Sequence, residues 1–352
     1  MNHRNYGLDL LRFVLMFMVC VLHVLGQGGI LEALTAGSLR HKVFWLLEIS
    51  SYCAVDSFAM ISGYTAQNRK QRYEKIVSMW FQAFFYSFVL TIFLSLLGIG
   101  GGLGIIDIKR SVFLVTFGTF WYFTAFVVLF FAMPLLNKFL FSIDEVQSKR
   151  AFLVLIFLFS VMGSFGDPFK SQIGYSAIWL LVLYCIGVLM KRVHVFAQKS
   201  SLFLMIVWGC CIFITWFTYI KKGDVFYVSY ISPTIVLSGM IMVILFSRLR
   251  LNSRIATVVS KLSPYAFGIY LFQSNPVIWN TILKGATAFV VNERLVVGIL
   301  YVFFFAFLIF ISGLFVEMMR SKIDSWLNIP LLSQKIVYVF DKLLLRLFRF
   351  FV

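Results

Sequence analysis

Long apolar stretches, divided by short polar ones, run the length of the chain. A helix that crosses a bilayer needs about 20 mostly apolar residues. Ten stretches meet or approach that length: 8–26, 43–66, 78–103, 112–136, 151–167, 175–190, 201–220, 229–247, 263–283 and 295–316. The fifth and sixth are short and the third and fourth long, and the glycine-rich run Gly98 to Gly104 reads as a loop or re-entrant turn closing the third. The first stretch is long and lacks a small-x-small cleavage site, which argues for a retained helix rather than a signal peptide. After the last span, segment 336–352 sets Tyr338, Asp341, Lys342, Arg346 and Arg349 at helical spacing among Leu and Phe. That pattern predicts either an amphipathic helix on the membrane surface or a docked helix that only packs. No internal repeat or appended soluble domain is visible, so 1–352 reads as a single membrane domain. The expected fold is an all-α integral membrane protein with about ten transmembrane helices and a C-terminal amphipathic helix.

Composition agrees with the pattern. Of 352 residues, 61% are hydrophobic and 13% charged, against roughly 45–50% and about 25% in soluble domains. The mean hydropathy is +0.94. A water-soluble globule, a disordered chain and a disulfide scaffold are excluded. The excess of 31 basic over 14 acidic residues would suggest a nucleic-acid partner in a soluble protein. Here it follows topology: with both termini inside, 21 basic residues fall in inner segments and nine in outer loops, as the positive-inside bias requires. The expected orientation is therefore N-in, C-in, with no nucleic-acid partner. The remaining cation, Arg12, lies inside the first span. Cys20, Cys53, Cys185, Cys210 and Cys211 all sit in apolar runs without metal-ligand spacing, and read as small packing residues.

Charges inside spans are costly and tend to mark function. The first span holds Asp9, Arg12 and His23, the second Glu48 and Asp56, and the ninth Gln273 and Asn275. Arg12 and His23 are 11 residues apart, which is three turns plus about 20°, so they share one helix face about 16 Å apart along the axis. Singly, Arg12 reads as a snorkelling boundary residue and His23 as a hydrogen-bonded core histidine. On one face they suggest a cation and a general base, since imidazole suits proton transfer near neutral pH. Glu48 falls at about the depth of His23. A carboxylate there would fix the ring tautomer, although Glu48 could equally pair with Arg40 or Lys42. Asp56, mid-span, is expected to face a polar cavity. Ser62-Gly63-Tyr64 suits close helix packing. The loop from Asn68 to Lys75 carries Arg69, Lys70, Arg72 and Lys75, which would attract a phosphate-bearing ligand or simply follow the positive-inside bias.

Together these elements resemble the membrane acyltransferase family 3. Arg12 and His23, within LDLLRFVLMFMVCVLHV, match the family's Arg/Lys-x10-His motif of the first helix. FAMISGY, with Phe58, Ser62 and Gly63, is similar to its aromatic Ser-Gly element, with Ala59 replacing the usual second aromatic. Arg69 and Arg72 match its Arg-x-x-Arg motif. Trp121-Tyr122, followed by Pro134, resembles the Trp-Tyr pair of a middle helix, and Gly268 to Leu271 a late GIYL element. The resemblance covers nearly the whole chain. Many members carry a histidine after that late element, where this chain has Gln273; an amide can hydrogen-bond but not shuttle a proton.

The resemblance implies a multi-pass enzyme of the bacterial plasma membrane. It would move an acyl group, most often acetyl from acetyl-CoA, to a hydroxyl of a surface glycan or its lipid-linked precursor. His23 would be the base or a transient acyl carrier, supported by Glu48. Arg12, Arg69, Arg72 and Ser62 would serve the acyl-CoA side, and Trp121, Tyr122, Asp56 and Gln273 the acceptor side. No metal is called for. The oligomeric state, single chain or homodimer, is left open. A transporter or flippase of a lipid-linked sugar is the rival class, with the intramembrane charges lining a pathway. It lacks the inverted repeat that many transporters show. A non-catalytic scaffold is a third.

Overall fold

A computed structural model describes residues 4–67, 71–100, 105–223 and 227–351. Every regular element among them is helical. The principal helices are α1 (Tyr6–Leu25), α2 (Leu39–Tyr52), α3 (Ala54–Tyr64), α4 (Glu74–Leu96), α5 (Trp121–Ser142), α6 (Glu145–Phe165), α7 (Ala177–Arg192), α8 (Ser201–Lys222), α9 (Pro233–Ser247), α10 (Ser253–Gln273), α11 (Leu295–Trp326) and α12 (Ile329–Phe351). Each of the ten apolar stretches contains a helix. Among the described residues, eight are long and apolar enough to cross a membrane: α1, α2 continued by α3, α4, α5, α6, α8, α10 and α11. The sixth and eighth stretches form the shorter α7 and α9, of 16 and 15 residues. At 1.5 Å per residue they reach about 24 and 22 Å, short of a hydrocarbon core of about 30 Å. Both bury most of their residues against other helices, so protein surrounds more of each than lipid does. Of the expected Gly98–Gly104 turn, Gly98 closes α4 with φ 76°, and 101–104 lie outside the described residues.

α1 is the central helix. The Asn5 side chain caps it by accepting from Leu8 N at 3.1 Å, and no Gly or Pro interrupts it between Leu8 and Leu25. It is packed on several sides by α2, α3, α9, α10 and α11. Leu8, Leu11, Leu15, Val24 and Leu25 are fully buried there. The SGY element does pack closely. A Cβ on Gly63 would stand 2.0 Å from the Tyr184 carbonyl oxygen of α7, and one on Gly187 would stand 2.2 Å from the Met60 carbonyl oxygen of α3. Two glycines facing each other's backbones let α3 and α7 touch. All five cysteines are free thiols.

The tenth span runs on to Trp326, ten residues beyond its expected end. This changes the place of Arg320, expected in an inner polar segment: it lies within α11 and is buried. α12 begins at Ile329, earlier than the expected 336. Its first turns dock on α4, where Ser78 Oγ donates to Ser333 Oγ at 3.0 Å. Farther on, Tyr338, Val339, Phe340 and Leu343 to Leu345 are exposed, the face a membrane-surface helix presents to lipid.

Candidate active site

One cavity of about 1040 Å³ runs beside α1. Arg12, Met16, Val19, Leu22, His23, Gly26 and Gln27 all line it. Their spacing of three and four residues is a single helix stripe, and from 12 to 27 the stripe climbs about 22 Å, most of the depth of a bilayer core. The shared face that the sequence predicts for Arg12 and His23 is thus the wall of one cavity. Glu48 and Tyr52 of α2, Ser62 of α3, Lys75 and Met79 of α4, Trp121 and Tyr122 of α5 and Tyr270 of α10 line the other sides.

His23 is half-buried and held from two directions. Its Nδ1 lies 3.0 Å from Gln273 Oε1, and its ring meets the edge of Trp279 with centroids 4.7 Å apart. Gln273 is fully buried, and its Nε2 donates to Met16 Sδ at 3.5 Å. The amide therefore turns its oxygen to the histidine. A carbonyl oxygen only accepts, so His23 Nδ1 carries the proton and donates, and Nε2 is left with its lone pair, as a general base requires.

The break after α10 builds this arrangement. Pro276 has no N–H to continue the helix, so the chain turns at Asn275. That side chain accepts from Val277 N (2.9 Å) and Ile278 N (3.1 Å) and donates to Tyr86 O (2.7 Å) and Thr91 Oγ1 (2.8 Å). The short π-helix that follows, Ile278–Leu283, presents Trp279, whose carbonyl accepts from Gln27 Nε2 at 2.9 Å.

At the other end of the stripe, Asp9 bridges two cations, with Arg12 Nη1 at 2.6 Å and Arg4 Nε at 2.5 Å. Arg4 also reaches Ser260 O and Ser263 Oγ, tying the start of α1 to α10. Arg12 Nε and Nη2 have no hydrogen-bond partner among the described residues, and the side chain lines the cavity. Lys75 lines it too and adds a second cation. Sequence reasoning passed over Lys75 as one of four loop charges; its place on the first turn of α4, rather than in the loop, sets it apart.

Other expected site residues stand elsewhere. Glu48 lines the cavity, but the partner of His23 Nδ1 is Gln273, not Glu48. Glu48 is 8% exposed and its Oε2 has no hydrogen-bond partner; Arg40 reaches the Val291 carbonyl instead. Gln273 was expected on the acceptor side and instead stands behind the histidine. Asp56 was expected to face a polar cavity, yet it is fully buried and lines none. Its Oδ1 accepts from Trp179 Nε1 of α7 at 3.1 Å, because α3 turns that face to α7. Arg72 is exposed and pairs with Glu74 at 2.7 Å. It lines a small neighbouring groove with Lys75 and Pro330, not the main cavity. Arg69 lies outside the described residues. Ser62 Oγ donates to Phe58 O at 3.4 Å at the cavity wall.

A buried ion-pair network has no counterpart among the expected residues. Glu317 of α11 is 1% exposed and Arg320 is 6% exposed. Arg320 Nε and Nη2 reach both oxygens of Glu317 (2.8 and 2.6 Å), and Nη1 reaches Asp324. Gln82 Nε2 and the Tyr86 hydroxyl of α4 donate to the same carboxylate at 2.9 and 2.8 Å. A Cβ on Gly268 would meet Glu317 Oε2 at 2.2 Å. The glycine of the late GIYL element is thus the gap through which this carboxylate sits beside α10. Like the Asn275 contacts, the network fixes α4, α10 and α11 behind the histidine.

Fold and cavity together define a polytopic helical membrane protein with an oriented imidazole on the wall of a bilayer-deep cavity. The chain belongs to acyltransferase family 3: the family's acyltransferase domain matches residues 5–325. No curated protein and no solved structure matches it.

Proposed function

We propose that the protein transfers an acyl group, acetyl in the simplest case, from acyl-CoA to a hydroxyl of a cell-surface glycan or its lipid-linked precursor, with His23 as general base. The observation that supports this reading is that one cavity is lined by the cations Arg12 and Lys75 and, along the α1 stripe from Arg12, by His23, whose Nδ1 meets Gln273. The nucleotide phosphates of the donor sit by Arg12 and Lys75, with Arg72 close by on the same loop and helix start. A guanidinium suits phosphate because it offers several fixed donors. The extended arm of the donor then follows Met16 and Val19 and brings its thioester to His23.

His23 Nε2 takes the proton of the acceptor hydroxyl as the oxygen attacks the thioester carbonyl. The tetrahedral intermediate collapses with cleavage of the C–S bond. The imidazolium returns its proton to the departing CoA thiolate, so the base is regenerated each cycle. Gln273 holds the ring throughout, accepting from Nδ1–H in both the neutral and the protonated form. The donor enters from the cytoplasmic face in the N-in orientation that the positive-inside bias favours.

Release of free CoA thiol by purified protein in nanodiscs, with acetyl-CoA and a glycan acceptor, tests the reading. His23→Ala should lower the rate by 10²- to 10⁴-fold, the usual share of general-base catalysis, while expression and melting temperature stay at the wild-type values. Arg12→Ala should raise KM for acetyl-CoA. Full activity of the His23 variant, or no thioester consumption by the wild type, refutes the reading, and the latter result is the one a flippase would give.

A further inference from the structure

The cavity has a wall that the chemistry at His23 does not use. Tyr52 ends α2, Tyr230 precedes α9, Tyr175 precedes α7 and Trp121 begins α5. These four rings form one cluster, with centroids 4.7 Å apart for Tyr52–Tyr230, 5.0 Å for Tyr230–Tyr175, 4.8 Å for Tyr175–Trp121 and 6.4 Å for Trp121–Tyr230. All four line the cavity, and so does Glu48, whose buried Oε2 lacks a partner. A buried carboxylate oxygen without a donor is costly, and the 8% of Glu48 that remains exposed is its face on the cavity.

The chain accepts strain to complete the wall. Between α6 and α7, Asp167, Lys170, Gln172 and Ile173 all have φ between 50° and 56°, a region that bulky L-residues avoid. Asp167 braces the loop by accepting from Ser171 N (2.8 Å) and Ile173 N (3.2 Å). Gly174 follows with φ 103°, and a Cβ there would stand 2.3 Å from Tyr230 Cβ. The result of this backbone path is that Tyr175, 45% exposed, is set against Tyr230 at the edge of the cavity.

We propose that this wall is an acceptor subsite for a pyranose ring: the aromatic cluster packs against the C–H face of the sugar, and the Glu48 carboxylate accepts a hydrogen bond from one of its hydroxyls. Aromatic side chains give a sugar apolar contact, and a carboxylate orients its hydroxyls; such sites combine an apolar lining with a few placed polar groups. An ammonium ligand also likes aromatic rings beside a carboxylate, but a cavity of about 1040 Å³ is far larger than an ammonium head fills and admits a whole sugar ring. The subsite deepens the acyl-transfer reading, on which it rests only for its place in the reaction, since binding can be seen without turnover.

Saturation-transfer NMR on the full chain in nanodiscs tests the subsite. The probes are the methyl pyranosides of glucose, galactose, mannose and N-acetylglucosamine, with glycerol and choline as controls. At least one pyranoside should take up saturation, strongest on the C–H protons of one face. Tyr230→Leu should reduce that signal at least fivefold, Tyr230→Phe should keep it, and Glu48→Gln should weaken it while the melting temperature holds. If Tyr230→Leu does not fold, Tyr52→Leu and Trp121→Leu are read the same way. The proposal is overturned if no pyranoside binds, if glycerol takes up equal saturation, if choline binds and the sugars do not, or if the leucine variants leave the signal unchanged. A pyranoside that binds in this way without thiol release from acetyl-CoA keeps the subsite and removes the acyl-transfer reading. Thiol release without pyranoside binding does the reverse.

Discussion

Gln273→Leu is the substitution that most directly tests how His23 is prepared. In the wild type, Nδ1–H donates to Oε1 at 3.0 Å and Nε2 stays free. Leucine fills similar space but removes the acceptor. A neutral hydrogen bond contributes about 1 kcal/mol net, and a buried donor left without a partner costs about 1–3 kcal/mol. The tautomer with its proton on Nδ1 is then disfavoured by about 5- to 150-fold, and the base is present in that much less of the protein. kcat for thiol release should fall over the same range, with KM for acetyl-CoA unchanged. The tautomer can be observed directly by ¹⁵N NMR of histidine-labelled protein, because the chain has only four histidines and His23→Ala assigns the signal. Wild type should show a protonated Nδ1 and a bare Nε2, and Gln273→Leu should move the proton toward Nε2. Gln273→His, whose ring nitrogen can accept the same bond, should retain more activity than Gln273→Leu. A protonated Nε2 in the resting wild type, or a fall in kcat with no change of tautomer, would refute the reasoning.

Three further outcomes follow from the packing. Asp56→Asn keeps the acceptor for Trp179 Nε1 at a residue outside the cavity lining, and should leave KM for both substrates within about twofold, a shift of about 0.4 kcal/mol; a raised acceptor KM would return Asp56 to the cavity. Gly187→Ala drives a methyl into the Met60 carbonyl and should cost about 1–3 kcal/mol, the usual range for overpacking, seen as a lowered melting temperature in nanodiscs. Glu317→Ala leaves Arg320 with Asp324 alone and takes the acceptor from Gln82 and Tyr86, and should cost about 3–5 kcal/mol; replacing Glu317 and Arg320 together by Gln and Met, which leaves only the part-exposed Asp324 unpaired, should recover most of that loss. Equal melting of the single and double variants would show that the pair is not coupled.

Much of the site was legible because a helix face is a matter of arithmetic. The 11-residue interval fixes Arg12 and His23 on one stripe of α1 whatever surrounds the helix, and the cavity follows that stripe. The ten helical stretches were legible for a similar reason, since hydropathy records which segments leave water. It does not record whether lipid or protein replaces the water. α7 and α9 therefore look like spans in the sequence, yet in the fold they are shorter helices buried among others. Gly63 and Gly268 were visible as motif members, but the backbone and the carboxylate that need their missing side chains belong to α7 and α11.

What stayed hidden depends on pairing between distant segments. Depth put Glu48 beside His23 in the sequence, and Gln273 was expected on the acceptor side. The deciding contact crosses 250 residues and depends on where α10 stops. It stops at Ser274 because Pro276 cannot continue the helix, and Asn275 then ties the turn to α4. The amide at 273 thus reaches the base through local chain chemistry and a long-range anchor acting together. A neutral amide in that place has a chemical consequence: it orients the ring without adding a negative charge beside it. In the proposed mechanism the imidazolium is then less stabilised than it would be beside a carboxylate, which would ease return of its proton to the leaving thiolate. Gln273→Glu should therefore hold the imidazolium and slow that return, so that thiol release falls even though the tautomer is preserved.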